Sequence, residues 1–464
     1  MKIYFLVFII DIFVGYGYCK SSVEIGYQVT LGIPIAYSKD FVGRAFLINA
    51  EQMEPKFKVA LSVEADEINE KYGCSIDVFL GEVKVWSSGH LSRFYTTEKC
   101  MLELTQNGDL QLKGIDQKVG WRSGTSSQDV KRLHLLRTGN LVLVDDMNLI
   151  KWQSFNFPTD IMLWGQRLSS ETRLTSFPFN STIFFSFEIQ HNKIALYLNS
   201  GTFKYAYWEF TPPDKHNITY VQLTSKGLEV YNDLFKRTAQ ISSQNVEAVR
   251  FLALENSTGN FGLYYYSDDK GDFEASFQAT NSTCDLPLAC KAYGICTYSN
   301  SCSCIRTISR EKGSLSDCSE EFPTSSLCVK NEVQMVELQD ASSILRGASN
   351  DIKKNVSRDI CANLCLMDEC NCVAALYDSE EKECYLYGMV RGVKQVERGS
   401  KFRYMVKVPK GTGRSHGRSA GLKKWILVLV VVVDGVIILL VGGALGYYVY
   451  RRRKRITQGS SNDS

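Results

Sequence analysis

The sequence predicts a mainly β, multi-module ectodomain tethered by one membrane helix. Three observations carry this: short alternating strands up to about residue 282, twelve cysteines packed between Cys284 and Cys384, and one long apolar run near the C-terminus. At 464 residues the chain is too long for one ordinary core, so several domains are expected. Its 44% hydrophobic and 22% charged residues are those of globular protein, and a net charge of +3 with scattered basic residues argues against a nucleic-acid binder.

The N-terminus has the form of a secretory signal peptide, residues 1–19. Lys2 supplies the positive start, Tyr4 to Val14 an apolar run interrupted by Asp11, and Gly17 and Cys19 the small residues before the cut. An uncleaved anchor is the alternative. Cleavage after Cys19 takes the cysteine count from 15 to 14, an even number that suits full pairing in an oxidising lumen.

From Val23 to about Ser282, runs such as Lys56-Phe-Lys-Val-Ala-Leu-Ser-Val and Ile183-Phe-Phe-Ser-Phe-Glu-Ile carry β-formers, punctuated by Gly, Asn and Asp. Such spacing predicts sandwiches or barrels. A weak repeat is present: Leu102-Glu-Leu-Thr-Gln-Asn-Gly-Asp-Leu-Gln-Leu is echoed by Leu133-His-Leu-Leu-Arg-Thr-Gly-Asn-Leu-Val-Leu. Each reads as a hairpin turning at Asn107-Gly108 or Thr138-Gly139-Asn140 and is followed by a tryptophan, Trp121 or Trp152. Repetition of a hairpin and a buried Trp suggests subdomains around a shared axis.

The cysteines fall into a group of six (Cys284, Cys290, Cys296, Cys302, Cys304, Cys318), a second six (Cys328, Cys361, Cys365, Cys370, Cys372, Cys384) and the pair Cys74 and Cys100. Small modules that cannot build a core use disulfides instead. The alternative for Cys302-x-Cys304 and Cys370-x-Cys372 is zinc, but those spacings are not CxxC and none of the five histidines lies in either cluster. No metal or other cofactor is expected.

Sequons at Asn180, Asn217, Asn256, Asn281 and Asn355 mark exposed, glycosylated loops. The glycine-rich basic stretch 411–421 reads as part of a flexible stalk, 409–424. Trp425 to Tyr450 is long enough to cross a ~30 Å hydrocarbon core. Arg451 to Arg455 follows as a stop-transfer cluster and outnumbers Lys423 and Lys424, so the tail 451–464 is expected in the cytosol and the N-terminus outside: a single-pass type I plasma-membrane protein. Asp434 inside the span costs on the order of 3 kcal/mol. Together with Gly442 and Gly446, a small-xxx-small pair, it marks a candidate surface for helix association or homodimerisation.

The elements Gly139-Asn-Leu-Val-Leu and Trp152-Gln-Ser-Phe-Asn-Phe-Pro-Thr-Asp closely resemble the bulb-type lectin domain of plant S-locus glycoproteins and S-domain receptor kinases. Cys284-Asp-Leu-Pro-Leu-Ala-Cys290-Lys-Ala-Tyr-Gly-Ile-Cys296 looks like the EGF-like module of that family. Cys361-x3-Cys365-x4-Cys370-Asn-Cys372 looks like its PAN/apple module. The resemblance covers about residues 25 to 408. It implies tandem bulb-lectin β-prism domains (25–165 and 166–282), an EGF-like module (283–320) and an α+β PAN/apple module (328–408). By similarity it implies the pairs Cys284–Cys296, Cys290–Cys302, Cys304–Cys318, Cys361–Cys384 and Cys365–Cys372. Cys328–Cys370 and Cys74–Cys100 are what the same resemblance leaves over; spacing alone does not select any of these pairs.

Two departures bear on function. The sequence ends at Ser464, so a kinase domain like that of the receptor kinases is not expected; this looks like a kinase-less, PAN-containing member. Bulb lectins hold mannose on a Gln-x-Asp-x-Asn-x-Val-x-Tyr strand. Here the line reads Leu136, Thr138, Asn140, Val142 and Val144, keeping only Asn140 and Val142; the line on Asp109 reads Thr105, Asn107, Asp109, Gln111 and Lys113. Each lost polar contact removes about 1 kcal/mol, so a degenerate sugar site is expected, with Asn140 a turn residue. The residues before Cys284, Ala279-Thr-Asn-Ser-Thr, lack the acids that EGF-type calcium binding needs.

The expected function is therefore a receptor-like glycoprotein that binds an extracellular peptide, protein or glycan and acts with a partner receptor kinase. A functional mannose-type lectin is the alternative. An enzyme is not expected: there is no HExxH, GxSxG or phosphate-cradling Gly loop, and neighbouring acids such as Asp145-Asp146 and Asp268-Asp269 suit turns.

Overall fold

The computed structural model describes residues 22–50, 54–177, 183–213, 216–305, 309–311, 318–320, 327–328, 332–347, 352–368, 370–410, 442–448 and 451. The protein is mainly β. It divides into two units, Met1–Lys407 and Val408–Ser464.

The first body of the larger unit is built from three sheets. One orders Val42–Asn49, Phe57–Asp66, Lys71–Leu80 and Val83–Ser87, with Phe94–Thr96 also paired to Lys71–Leu80. A second orders Val119–Arg122, Leu110–Lys113, Lys99–Leu104 and Gln28–Gly32. The third orders Ser22–Glu24, Arg132–Leu135, Leu141–Val144 and Ile150–Gln153. Side chains alternate across a strand, so each sheet turns one apolar row inward. Leu61 and Val63, Leu102 and Leu112, and Leu133 and Leu143 meet there in one buried core. Both expected hairpins form: Leu102 lies opposite Leu112, and Leu133 opposite Leu143. Gly108 (φ +85°) and Gly139 (φ +83°) take the left-handed turn conformation, and a Cβ on Gly108 would stand 2.9 Å from the Val130 side chain.

The internal repeat is threefold, one more than the hairpins reveal. Trp86 joins Trp121 and Trp152, with the Trp152 ring 5.8 Å from Trp86 and 5.9 Å from Trp121, both edge-to-face. Two residues after each Trp stands a serine. Ser88, Ser123 and Ser154 each accept a backbone N–H through Oγ, from Ile76, Leu110 and Leu141 in turn, all at 3.0 Å. The common unit is thus a strand, a return strand and a Trp-x-Ser, wound around one axis.

A second set of three sheets follows. Ile161–Leu163 pairs with Val249–Leu254, which continues through Phe261–Ser267 to Asp272–Gln278; Arg167–Ser169 leads to Ile218–Thr224, Gly227–Asn232 and Arg237–Ser242. Arg173–Thr175, Ile183–Ile189, Ile194–Ser200 and Phe203–Phe210 form the last, and Arg346–Gly347 adds to its edge.

In the cysteine-rich part, Gly294–Cys296 pairs with Cys302–Cys304 and, in parallel, with Val393–Gln395. The helix Arg358–Met367, N-capped by the Ser357 hydroxyl, lays Cys361 and Cys365 against the sheet Val333–Leu338, Phe402–Pro409, Ala374–Asp378 and Glu383–Tyr387. Seven disulfides staple the chain: Cys74–Cys100, Cys284–Cys296, Cys290–Cys302, Cys304–Cys318, Cys328–Cys370, Cys361–Cys384 and Cys365–Cys372.

In the smaller unit, residues 442–448 are helical, and Gly442 and Gly446 have open space where a Cβ would stand. No helix among the described residues is long and apolar enough to cross a membrane. Most of the expected span Trp425–Tyr450, including Asp434, lies outside the described residues, as do the signal peptide, nearly all of the stalk and the sequon at Asn180.

Candidate functional site

The three Trp-x-Ser units give three outward sheet faces, and these differ in what they offer. On the Leu141–Val144 strand, Val142 and Val144 are buried, so no row of polar groups faces out. Asn140 is 5% exposed: its Nδ2 donates to Gln153 Oε1 at 2.8 Å, while its Oδ1 accepts from Ser154 Oγ (3.2 Å) and Phe155 N (3.3 Å). Its side chain serves the turn.

Asp109 does the same work one unit earlier. Its Oδ1 accepts from the backbone N–H of Gly124 and Thr125 and from Ser123 Oγ, and its Oδ2 accepts from Gln111 at 2.9 Å. Burial raises its pKa, but these hydrogen bonds outweigh that and hold it below the usual carboxylate value. Lys113 donates to Glu103 at 2.5 Å, so Gln111, Asp109 and Lys113 are all engaged with protein partners.

The third face is different. Residues opposite one another in an antiparallel pair share a face, which puts Ser62 with Ser75, Glu64 with Gly73, and Asp77 with Ser87. Lys84 Nζ donates to both oxygens of Glu64 at 2.7 Å and stands 3.2 Å from Asp77 Oδ2. Asp77 is fully buried and accepts from Ser87 Oγ at 2.6 Å. Glu64 is raised by burial but lowered overall by Lys84 and Arg44.

Opposite this face stands the second set of sheets, leaving a cleft of about 230 Å³ between them. His90 holds its far wall: Nε2 lies 2.6 Å from the Thr175 carbonyl and must donate to it, and Nδ1 stands 3.9 Å from Asp160. Burial lowers the His90 pKa, partly countered by Asp160 and Thr175. Asn256, one of the sequon asparagines, donates to Asp160 at 2.9 Å and accepts from Phe177 N at 2.6 Å. Arg93 spans the mouth, its guanidinium 4.4 Å above the Phe177 ring and 2.9 Å from Asp66.

Asp66 sits at about 2. Burial raises it, but Tyr95 and Asn69 donate to it, and Arg93 lies beside it. A depressed carboxylate stabilises the fold above its ordinary value of 3.8 and loses that contribution as pH falls through about 2. The contribution at neutral pH is at most about 2 kcal/mol for this nearly buried group. Asp66→Asn is expected to lower the unfolding midpoint at pH 7, with the gap to the parent closing between pH 4 and 2; a pH-independent gap contradicts this.

This cleft is not legible in the sequence, because its residues run from Glu64 to Asn256. The available signal was the third Trp-x-Ser, Trp86-Ser87-Ser88. Of the other sequons, Asn281 and Asn355 are exposed and Asn217 is half-buried. Among the described residues no cluster of three or more His, Cys, Asp or Glu could hold a metal ion.

Comparison with known proteins places two domains on this framework. Residues 85–178 match the family profile described as D-mannose binding lectin, and residues 339–407 that of the PAN domain. The chain carries a bulb-lectin domain and a PAN domain. The chain is 24% identical over 402 residues to a G-type lectin S-receptor-like serine/threonine-protein kinase of Arabidopsis thaliana, covering 82% of this chain and 47% of that one. It is 26% identical over 376 residues to a PAN domain-containing protein of the same plant, covering 76% and 72%. The chain spans about half the length of the receptor kinase. Among solved structures, a monomeric mannose-binding lectin of Gastrodia elata aligns with 29% of the chain and 96% of its own, at 20% identity and a TM-score of 0.20.

Proposed function

We propose that this bulb-lectin/PAN protein is a cell-surface, receptor-like glycoprotein that binds an extracellular ligand and signals through a partner receptor kinase. Its ectodomain is read as two β-prism lectin-type domains (25–165, 166–282), an EGF-like module (283–320) and a PAN module (328–408). A signal peptide precedes them, and the stalk, a type I span at Trp425–Tyr450 and cytosolic residues from Arg451 onward follow. Asp434, Gly442 and Gly446 are the proposed helix-association surface, and Asn180, Asn217, Asn256, Asn281 and Asn355 the proposed glycan sites. All fourteen lumenal cysteines pair.

The observation that carries the binding role is the charged cleft between the two three-sheet bodies, where Lys84, Glu64, Arg93 and His90 converge. Ligand sites are concave, hold a few convergent polar groups and occur preferentially at domain interfaces. A second reading, a carbohydrate-binding lectin, is favoured by the lectin family match and by the hydroxyl-bearing third face, Ser75 and Ser87 beside Asp77.

Deleting residues 425–450 is expected to release the glycosylated ectodomain into the medium of a secreting cell. Retention of the deleted form on the membrane contradicts the anchor.

A further inference from the structure

A second cleft, of about 520 Å³, opens where the second set of sheets, the Cys284 loop and the PAN domain meet. These parts are welded rather than strung. The PAN strand Arg346–Gly347 extends the sheet of Phe203–Phe210, and Val393–Gln395 pairs with Gly294–Cys296. Tyr205 accepts from Gly388 N at 2.8 Å and packs 5.4 Å from Tyr387, whose hydroxyl donates to the Leu345 carbonyl. The cleft is therefore preformed.

Its chemistry is uneven. Trp208, Phe402, Leu196 and Val396 make apolar wall. Lys394 is matched by Asp285 at 2.5 Å. Arg346 is not matched. Its half-buried guanidinium lies 4.7 Å above the Phe402 ring, donates to the carbonyls of Ser343 and Leu345 and stands beside the Tyr387 hydroxyl. Among the described residues no carboxylate forms an ion pair with it. A partly desolvated guanidinium favours an anion, and its planar fork suits a carboxylate.

We propose that this junction binds a peptide through a free C-terminal carboxylate on Arg346, with an apolar last side chain against Trp208 and Phe402. One carboxylate balances the single unmatched charge. A saccharide needs many open hydrogen-bonding groups, and here each hydroxyl already holds a local turn: Ser343 Oγ accepts from Leu345 N, Ser400 Oγ from Phe402 N, and Thr280 Oγ1 accepts from Ser282 N and donates to the Ser282 carbonyl. The proposal is independent of the cleft at Lys84.

The test is saturation-transfer NMR on the full chain with N-acetyl-Gly-Gly-Phe and N-acetyl-Gly-Gly-Leu, each at 2 mM as free acid and as amide, and with trigalacturonate. The free acids are expected to give at least fivefold more transfer to the last side chain than the amides. Arg346→Gln is expected to reduce the acids to the amide level, with the parent's thermal midpoint as the folding control. Equal transfer for acid and amide, no transfer from any peptide, or full transfer in a folded Arg346→Gln protein overturns the proposal. Stronger transfer to trigalacturonate also overturns it, in favour of an acidic saccharide. If Arg346→Gln fails to fold, the acid-to-amide ratio on the parent chain decides.

Discussion

Replacing Trp152 by Ala is expected to cost about 3–5 kcal/mol, the usual range for removing a buried aromatic from a core. Trp152 is the hub of the first body: its ring lies edge-to-face with Trp86 and Trp121 and stacks on Phe157 at 5.7 Å. All three sheets lean on it, so its loss opens a cavity that no single sheet can collapse to fill. Leu141→Ala, also buried but in one sheet, is expected to cost less, about 2–4 kcal/mol. Secretion yield and thermal unfolding of both variants check this. A Trp152→Ala protein as stable as the parent would show that the three units do not share a core.

Lys84→Met carries the second large effect. It leaves Asp77, fully buried, without its cation and removes both hydrogen bonds to Glu64. Breaking one side of a buried ion pair is strongly destabilising, and with Lys84 30% exposed the expected loss is about 2–4 kcal/mol. Adding Asp77→Asn removes the stranded charge while keeping an acceptor for Ser87, so the double variant is expected to recover at least half of the loss. Simple additivity of the two changes, read from unfolding midpoints, would show that Lys84 and Asp77 are not coupled.

Much of the first body was legible because its signals are local. Asn107-Gly108 and Thr138-Gly139-Asn140 demand left-handed turns, and alternating leucines on either side set the register. The third unit escaped notice because its turn, Glu67 to Glu70, has no glycine, and its strand reads Gly73-Cys-Ser-Ile-Asp rather than a row of leucines. Glu70 nonetheless adopts φ 50°, the turn geometry that glycine fills elsewhere. Neither cleft was legible. One needs Lys84 to face Asn256, and the other needs the PAN residue Arg346 to join the edge of a strand ending at Phe210. Such juxtapositions arise only when whole sheets pack.

The sequence also assigned Asn140 to a turn and expected a weakened sugar line. In the structure, the side-chain oxygens of Asn140 and Asp109 accept from Ser154, Phe155, Ser123, Gly124 and Thr125. Among the described residues, the face holding Ser75, Asp77 and Lys84 is the one of the three that opens into the inter-body cleft.

The most direct test is glycan-array binding by the purified, glycosylated chain, with a mannose-binding bulb lectin on the same array as control. No mannose-type glycan is expected to bind at sub-millimolar affinity, which directs the search to peptide and protein ligands. Clear mannose binding by the parent chain would contradict the degenerate sugar line and identify the protein as a working lectin.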